Sequence, residues 1–579
     1  MSECQPLLLI RSGQPEENCY GPFAQELLIA EGLNGFRVVD IDAAGLPYLR
    51  PEDLVVLTRC FLQQSEINAI YEAVESGARL VCLQPSPRLL ERFQWRSANS
   101  VLYSGRVLVR PGYRGAGAPL QTHVPIALAE PADPSLHWEC VAEACSDDGQ
   151  KSGRPAIARQ RVGAGEVVFY FFDLPKAVAR IRFGDPELAS FATMEIWDWP
   201  HAAGLFTGYL DDNLRHLPVA DLHTQLLAQL LSAISAYPLT RFWYYEEAGH
   251  RAAAVFSSDD DGSTPEQFRE LTDALQRHGA HGTFYLVKDT RLGDDEIARM
   301  RGLGHTFAPH IDARSDSDMF FGFPGCVEEE SALLRARIGS TSVSLQAHRA
   351  PWYGYQSYVP HFVRNGYRLL MHYLSAPVHR LNSFLCGSGR PSKFVALDGK
   401  IHDCWQQPLI TFDDASLIPR INNDCATLLG EFERLLEGCC REHHSSIGLA
   451  SHPVSFATYS RPFIEACLAA LARKGVPVYN GDEWCALHDR RHAARVKQRF
   501  EGDTLTCTVS NLTGRLQLMI PAGGTGAPPA RPRVSVDGAA VEGTWQRRLG
   551  EDYLFVPVEG DGSRDVQVHV DFTPWGAMR

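Results

Sequence analysis

Residues 252–262 read Ala-Ala-Ala-Val-Phe-Ser-Ser-Asp-Asp-Asp-Gly, a short apolar run that ends in three carboxylates and a glycine. Such a run predicts a buried strand that delivers acidic side chains to the carboxyl edge of a parallel sheet, where α/β folds place their chemistry. Adjacent carboxylates raise one another's pKa values unless a cation or a hydrogen-bond network compensates, so the cluster points to a metal or a proton-transfer site. The competing reading is a solvated turn with an Asx cap before the helix that Pro265 opens.

Outward from this stretch, strand and helix patterns alternate from about residue 250 to 490. Strand patterns cover Ala252–Ser257, Gly282–Val287, His305–Asp312, Ser342–His348, Tyr367–Tyr373, Ser446–Ser451 and Val476–Tyr479. Helix patterns lie between them, at Pro265–His278, Asp294–Gly302, Val327–Ile338, Gln356–Asn365, Cys425–Arg441 and Arg461–Lys474. A run of about seven such units predicts a closed or nearly closed (β/α) barrel with its active face at the carboxyl ends of the strands.

Four motifs in order then resemble the polysaccharide deacetylase family (NodB-homology, carbohydrate esterase family 4) over roughly 240 residues. They are Ser257-Ser258-Asp259-Asp260-Asp261-Gly262, Gly304-His305-Thr306-Phe307-Ala308-Pro309-His310, Arg349-Ala350-Pro351-Trp352-Tyr353-Gly354 and Leu449-Ala450-Ser451-His452-Pro453. The resemblance implies a general base at the first aspartate of the motif and a metal ligand at the second. That makes Asp259 the base and Asp260 the ligand, or, aligned on Gly262, Asp260 the base and Asp261 the ligand. It further implies that Arg349 orients the base and that His452 is the general acid, a role contributing about a hundred- to ten-thousandfold in rate. Trp352 or Tyr353 would line the sugar face or form the oxyanion site.

His310 would be a metal histidine, but the residue four further on is Arg314, which cannot bind a cation. Asp312, two residues on and so on the same strand face, and His348, at the end of the next strand, are the replacements considered. The implied cofactor is a divalent ion, zinc first and cobalt or nickel otherwise. His305 has the wrong parity to share a strand face with His310. Thr411-Phe412-Asp413-Asp414 copies the first motif literally but lacks its glycine, so Asp413 and Asp414 are read as loop acids. His443 and His444 are read as exposed cations at a helix end.

Three domains are expected: 1–245, 246–495 and 496–579. The first alternates strand and helix (Gln5–Ile10, Tyr20–Glu31, Phe36–Ile41, Leu54–Leu57, Ser65–Glu75, Arg79–Leu83), with Pro155–Arg161 and Glu166–Phe172 as a hairpin at the sheet edge. This layout resembles the degenerate class I glutamine-amidotransferase-like domains of flavodoxin-like fold. An active amidotransferase exposes its cysteine on a sharp glycine-flanked turn. Cys82 sits instead in Leu80-Val81-Cys82-Leu83-Gln84 and is read as a buried thiol. The domain is assigned a structural or partner-binding role, including homo-oligomer formation. The last domain, with short β-type runs and an Asp537-Gly538 hairpin signal, is expected to be a small β-sandwich.

The chain has 579 residues, 15 cysteines and a formal net charge of −14. No basic cluster tracks a phosphate backbone, which argues against a nucleic-acid partner. The amino-terminal residues carry no secretory pattern, no stretch is apolar and long enough to span a bilayer, and the scattered cysteines fit reduced thiols, so a cytoplasmic location is expected. The combined expectation is a metal-dependent hydrolase that removes an acetyl group from an N-acetylated sugar or related amide, acting on a glycan precursor. The alternative is a catalytically inactive glycan- or protein-binding protein that keeps the deacetylase fold, favoured by the missing second histidine.

Overall fold

A computed structural model describes residues 4–188, 205–206, 211–313, 322–349, 358–374, 381, 383–384, 386–411, 414–420, 422–522 and 532–572. The chain forms two compact units, one of residues 1–181, 222–248 and 489–579, the other of 182–221 and 249–488.

The second unit is built on a curled, mostly parallel sheet. We label its strands β1 (Ala253–Asp259), β2 (Thr283–Leu286), β3 (Thr306–Asp312), β4 (Ser344–Arg349), β5 (Leu369–Leu374), β6 (Ser392–Val395), β7 (Ile401–Leu409), β8 (Ser446–Ala450) and β9 (Val478–Tyr479). Their order is β6-β7-β5-β4-β3-β2-β1-β8, and β9 also pairs with β1. Among the described residues of this sheet only the β6/β7 pair is antiparallel.

In β1 the residues divide by parity, as a pleated strand requires. Ala252, Ala254 and Phe256 pack with Phe268, Leu271, Phe284, Phe307 and Leu449 in a core under the helices. Val255, Ser257 and Asp259 fall on the opposite face. Helix Pro265–Arg277 starts where Thr264 and Gln267 form a capping box with Pro265 in the first turn, and it buries Phe268, Leu271, Ala274 and Leu275 along one stripe. The ends of the curled sheet meet at Gly448, where an added Cβ would stand 2.4 Å from the Pro408 carbonyl. Thr411 Oγ1 donates to the Gly448 carbonyl there, at 2.8 Å.

Strand β7 is missing from the sequence reading. Its carboxyl-terminal part, Cys404 to Leu409, is buried but interrupted by Gln406 and Gln407. Gln407 is satisfied inside, donating to the Gly389 carbonyl at 2.8 Å and accepting from Trp484 Nε1 at 2.8 Å. Hydrogen-bonded glutamines thus interrupt the apolar run that would have marked a central strand.

In the first unit a nine-stranded sheet begins with the parallel strands Arg37–Asp40, Leu7–Ile10, Leu54–Leu57, Arg79–Leu83 and Gly165–Tyr170, in that order. Antiparallel strands Lys151–Val162, Trp138–Cys145, Arg106–Val109 and Pro119–Gln121 continue it. The hairpin expected at the edge therefore lies mid-sheet, because residues 106–145 supply strands beyond it. Two antiparallel sheets follow. One has five strands: Arg495–Glu501, Thr504–Ser510, Val566–Asp571, Arg533–Val536 and Ala539–Ala540. The other has four: Arg241–Phe242, Thr513–Pro521, Glu551–Asp561 and Thr544–Arg548. Among the described residues no helix is long and apolar enough to cross a membrane.

Candidate active site

The site begins where β1 ends. Asp259 is its last residue, and the chain then turns through Asp261 and Gly262, both left-handed at φ 43° and 72°. A left-handed non-glycine residue is uncommon, and aspartate tolerates it better than most. The turn separates the three carboxylates. Asp260 is fully buried, and its Oδ1 accepts the Ser263 N–H at 3.1 Å. Burial lifts its pKa to about 6, against hydrogen bonds from Thr290, Val287 and Ser263 that act downward. Asp259 and Asp261 instead face the end of β8.

There Pro453 holds His452 extended, at φ −99° and ψ 141°. His452 Nε2 lies 3.7 Å from Asp259 Oδ2 and 3.5 Å from Asp261 Oδ2. Its Nδ1 meets Asp414 Oδ1 at 2.8 Å, and the same oxygen accepts the His452 backbone N–H at 3.0 Å. Asp414 Oδ2 accepts Ser451 Oγ at 2.8 Å and Ser460 Oγ at 2.6 Å. The β1 turn and the loop after β8 are tied by Ser263 Oγ, which accepts the Val454 N–H at 3.2 Å.

The reading of Asp414 as a loop acid is corrected. It is fully buried, opens helix Asp414–Arg420 and carries four donors around its carboxylate. It opens the helix after β7, so recognising that strand would have placed it near the same carboxyl edge. Asp413 lies outside the described residues. His443 and His444 are also corrected: both are buried, His443 edge-on to Phe384 and His444 Nδ1 3.2 Å from the Arg251 carbonyl. Residues Cys439–His443 form a π-helical turn, and His444 follows it in the left-handed region, which carries both rings inward.

Gln346 is a second residue the sequence reading missed. Its Nε2 donates to Asp259 Oδ2 at 2.7 Å across the sheet from β4.

His310 is buried on β3 in register with Gln346. Asp312, half-buried at the end of β3, is held through its backbone N–H, which donates to Glu330 Oε2 at 3.0 Å. A bulge at His348 brings Arg349 into register with Asp312. Trp352, Tyr353 and Arg314 lie outside the described residues. His305 is a framework residue: Nδ1 accepts the Gly282 N–H at 3.1 Å, the ring packs edge-on to Phe284, and burial pulls its pKa to about 4.

A divalent ion needs several converging donors. Among the described residues no three His, Cys, Asp or Glu side chains converge in that way, and the Asp260 carboxylate is engaged by Ser263, Val287 and Thr290. The ends of β1 and β8 and the helix after β7 make an acid–base constellation: a carboxylate at Asp259, an imidazole at His452 and a buried carboxylate behind it.

No family model matches the chain, and no curated protein does. Solved structures similar to it include a polysaccharide deacetylase of Mycobacterium smegmatis, at 15% identity over 42% of this chain and 92% of that one, with a TM-score of 0.32. The polysaccharide deacetylase Bc1974 of Bacillus cereus is similar at 16% over 40% and 90%, TM-score 0.27. The chitin deacetylase of Colletotrichum lindemuthianum is similar at 17% over 41% and 89%, TM-score 0.26. An exo-β-1,4-mannosidase of Opitutaceae bacterium strain TAV5 matches at 18% over 27% of this chain, TM-score 0.21, and the match spans 28% of that protein.

Proposed function

We propose that this chain is a hydrolase of the carbohydrate-deacetylase type, with Asp259 as general base and His452 as general acid on an N-acetylated sugar or related amide. The observation that carries the proposal is the line Asp414–His452–Asp259, assembled from the carboxyl ends of β7, β8 and β1.

Amide hydrolysis needs a proton removed from water and a proton delivered to the departing amine. Asp259, oriented by the Gln346 amide, takes the first. Because Asp414 accepts from His452 Nδ1–H, the Nε2 atom is the one turned to the reacting centre. In the imidazolium form its proton lies between Asp259 and Asp261, from where it passes to the amine. Asp414 acts through His452 as a positioning residue, fixing tautomer and ring orientation as buried acids behind catalytic histidines do.

A divalent ion, as the resemblance implies, would supply Lewis-acid polarisation of the carbonyl. Asp260 or Asp261, with His310, Asp312 and His348, are the residues we assign to it, with Arg349 beside the base and Trp352 or Tyr353 against the sugar. The 2-1-3-4-5 order of the first parallel strands supports a flavodoxin-like amino-terminal domain, and the paired antiparallel sheets support a carboxyl-terminal sandwich.

Acetate release from N-acetylglucosamine oligomers tests the proposal, measured after chelation and again with zinc, cobalt or nickel added. Release in either condition that is lost in Asp259→Asn supports it. No release in both moves the reading to a binding protein. Fractionation that places the protein outside the cytoplasmic membrane would remove glycan precursors as its substrate class.

A further inference from the structure

A second polar site lies far along the chain from the barrel residues. The five-stranded sheet has an apolar face, with Leu505, Val534, Val568 and Val570 buried. Its other face is polar, and cross-strand register sets Thr506 beside His569 beside Ser535, and Thr504 beside Asp571 beside Arg533. Two of these side chains are held in place: Thr504 Oγ1 donates to Asp571 Oδ1 at 2.9 Å, and Thr506 Oγ1 stands 3.2 Å from His569 Nδ1. The segment Val541–Trp545, which leads into the four-stranded sheet, forms a wall beside this face. Together they enclose an open cleft of about 790 Å³ lined by Arg533, Ser535, Glu542, Trp545, His569 and Asp571.

The chemistry of this lining selects a ligand class. One guanidinium, two carboxylates and an imidazole nearly balance in charge, so neither a polyanion nor a polycation is favoured. The groups are planar donors and acceptors able to pair two at a time with neighbouring hydroxyls. Trp545 is half-exposed and adds a broad apolar surface, and its indole N–H has no hydrogen-bond partner among the described residues. The volume falls in the range, roughly 300–1,000 Å³, usual for small-ligand sites. An aromatic face beside a balanced set of planar polar groups suits a pyranose ring, which is apolar across its C–H face and hydroxylated at its edge.

We infer that the cleft between the Arg533–Val536/Val566–Asp571 sheet face and Trp545 binds an uncharged saccharide chain. The binding belongs to this part of the molecule alone and does not depend on the chemistry at Asp259. Trp545 stacks against the ring, and Asp571, His569 and Arg533 take its hydroxyls.

Titration calorimetry on the full chain carrying Asp259→Asn tests this, because that background limits consumption of the ligand. The probes are neutral tetrasaccharides of β1,4-linked N-acetylglucosamine, glucose, mannose and xylose, with tetragalacturonate as the charged control. Expected is binding of at least one neutral probe, tighter than the control and weakened about tenfold or more by both Trp545→Ala and Asp571→Asn. Thermal unfolding checks each variant. Should Trp545→Ala fail to fold, Asp571→Asn, close in shape to the native residue, still gives the answer. Absence of binding by every neutral probe, or binding of unchanged affinity in the folded variants, overturns the inference.

Discussion

Two parallel strands of this molecule end in nearly the same backbone and do opposite things. Arg79–Leu83 is followed by Gln84 at φ 56°, and Ala253–Asp259 is followed two residues later by Asp261 at φ 43°. In the first, the reactive side chain type, Cys82, stands inside the ladder with Leu57 and Phe169 as its register neighbours. It is 1% exposed, and burial raises its thiol pKa well above the ordinary value. In the second, the carboxylates stand at the last strand residue and in the turn itself, and Asp261 keeps 29% of its side-chain surface. A strand end becomes a site when its polar residues lie at the last rung of the ladder and in the turn beyond it, where a second loop can meet them. One or two residues inward, the same edge makes core.

The largest break in that comparison is expected from Asp259→Asn and His452→Ala, each lowering kcat/KM by about a hundred- to ten-thousandfold in an acetate-release assay. Asp414→Asn should cost about ten- to a hundredfold, since it acts through His452. Removing that carboxylate destabilises the imidazolium, so the alkaline limb of the kcat profile should move to lower pH. A uniform loss with an unmoved profile would make Asp414 purely structural.

Asp260→Asn should change stability in a pH-dependent way. The Asp260 pKa is raised to about 6 in the fold from an ordinary 3.8, so its contribution is intact below about pH 4 and fades as pH rises through 6. The variant should therefore match wild type near pH 4 and exceed it by about 1–3 kcal/mol above pH 6, read by urea unfolding across that range. Equal stability at every pH would contradict its buried assignment. At the other strand end, alkylating reagents should leave turnover unchanged in native protein, because Cys82 is closed to solvent. Inactivation that Cys82→Ser prevents would reopen the amidotransferase reading.

These contrasts also mark what the sequence made legible. The apolar run ending at Asp259 and the helix opened by Pro265 were readable because each is a local pattern. The partition of Asp259, Asp260 and Asp261 was not, since it depends on left-handed backbone at Asp261. Strand β7 was hidden by Gln406 and Gln407, whose partners, Arg182 for the first and Gly389 and Trp484 for the second, are distant in sequence. Asp414 was missed along with it. Gln346 became visible as a partner of Asp259 only once β4 and β1 were set in one sheet.

The measurement that bears most directly on the central claim is a double-mutant cycle in kcat/KM between Asp259→Asn and His452→Ala. If the two serve one reaction as base and acid, the double variant should be little slower than the worse single variant, because groups that act as a unit lose activity non-additively. Losses that multiply independently, or single variants with wild-type turnover, would contradict the account.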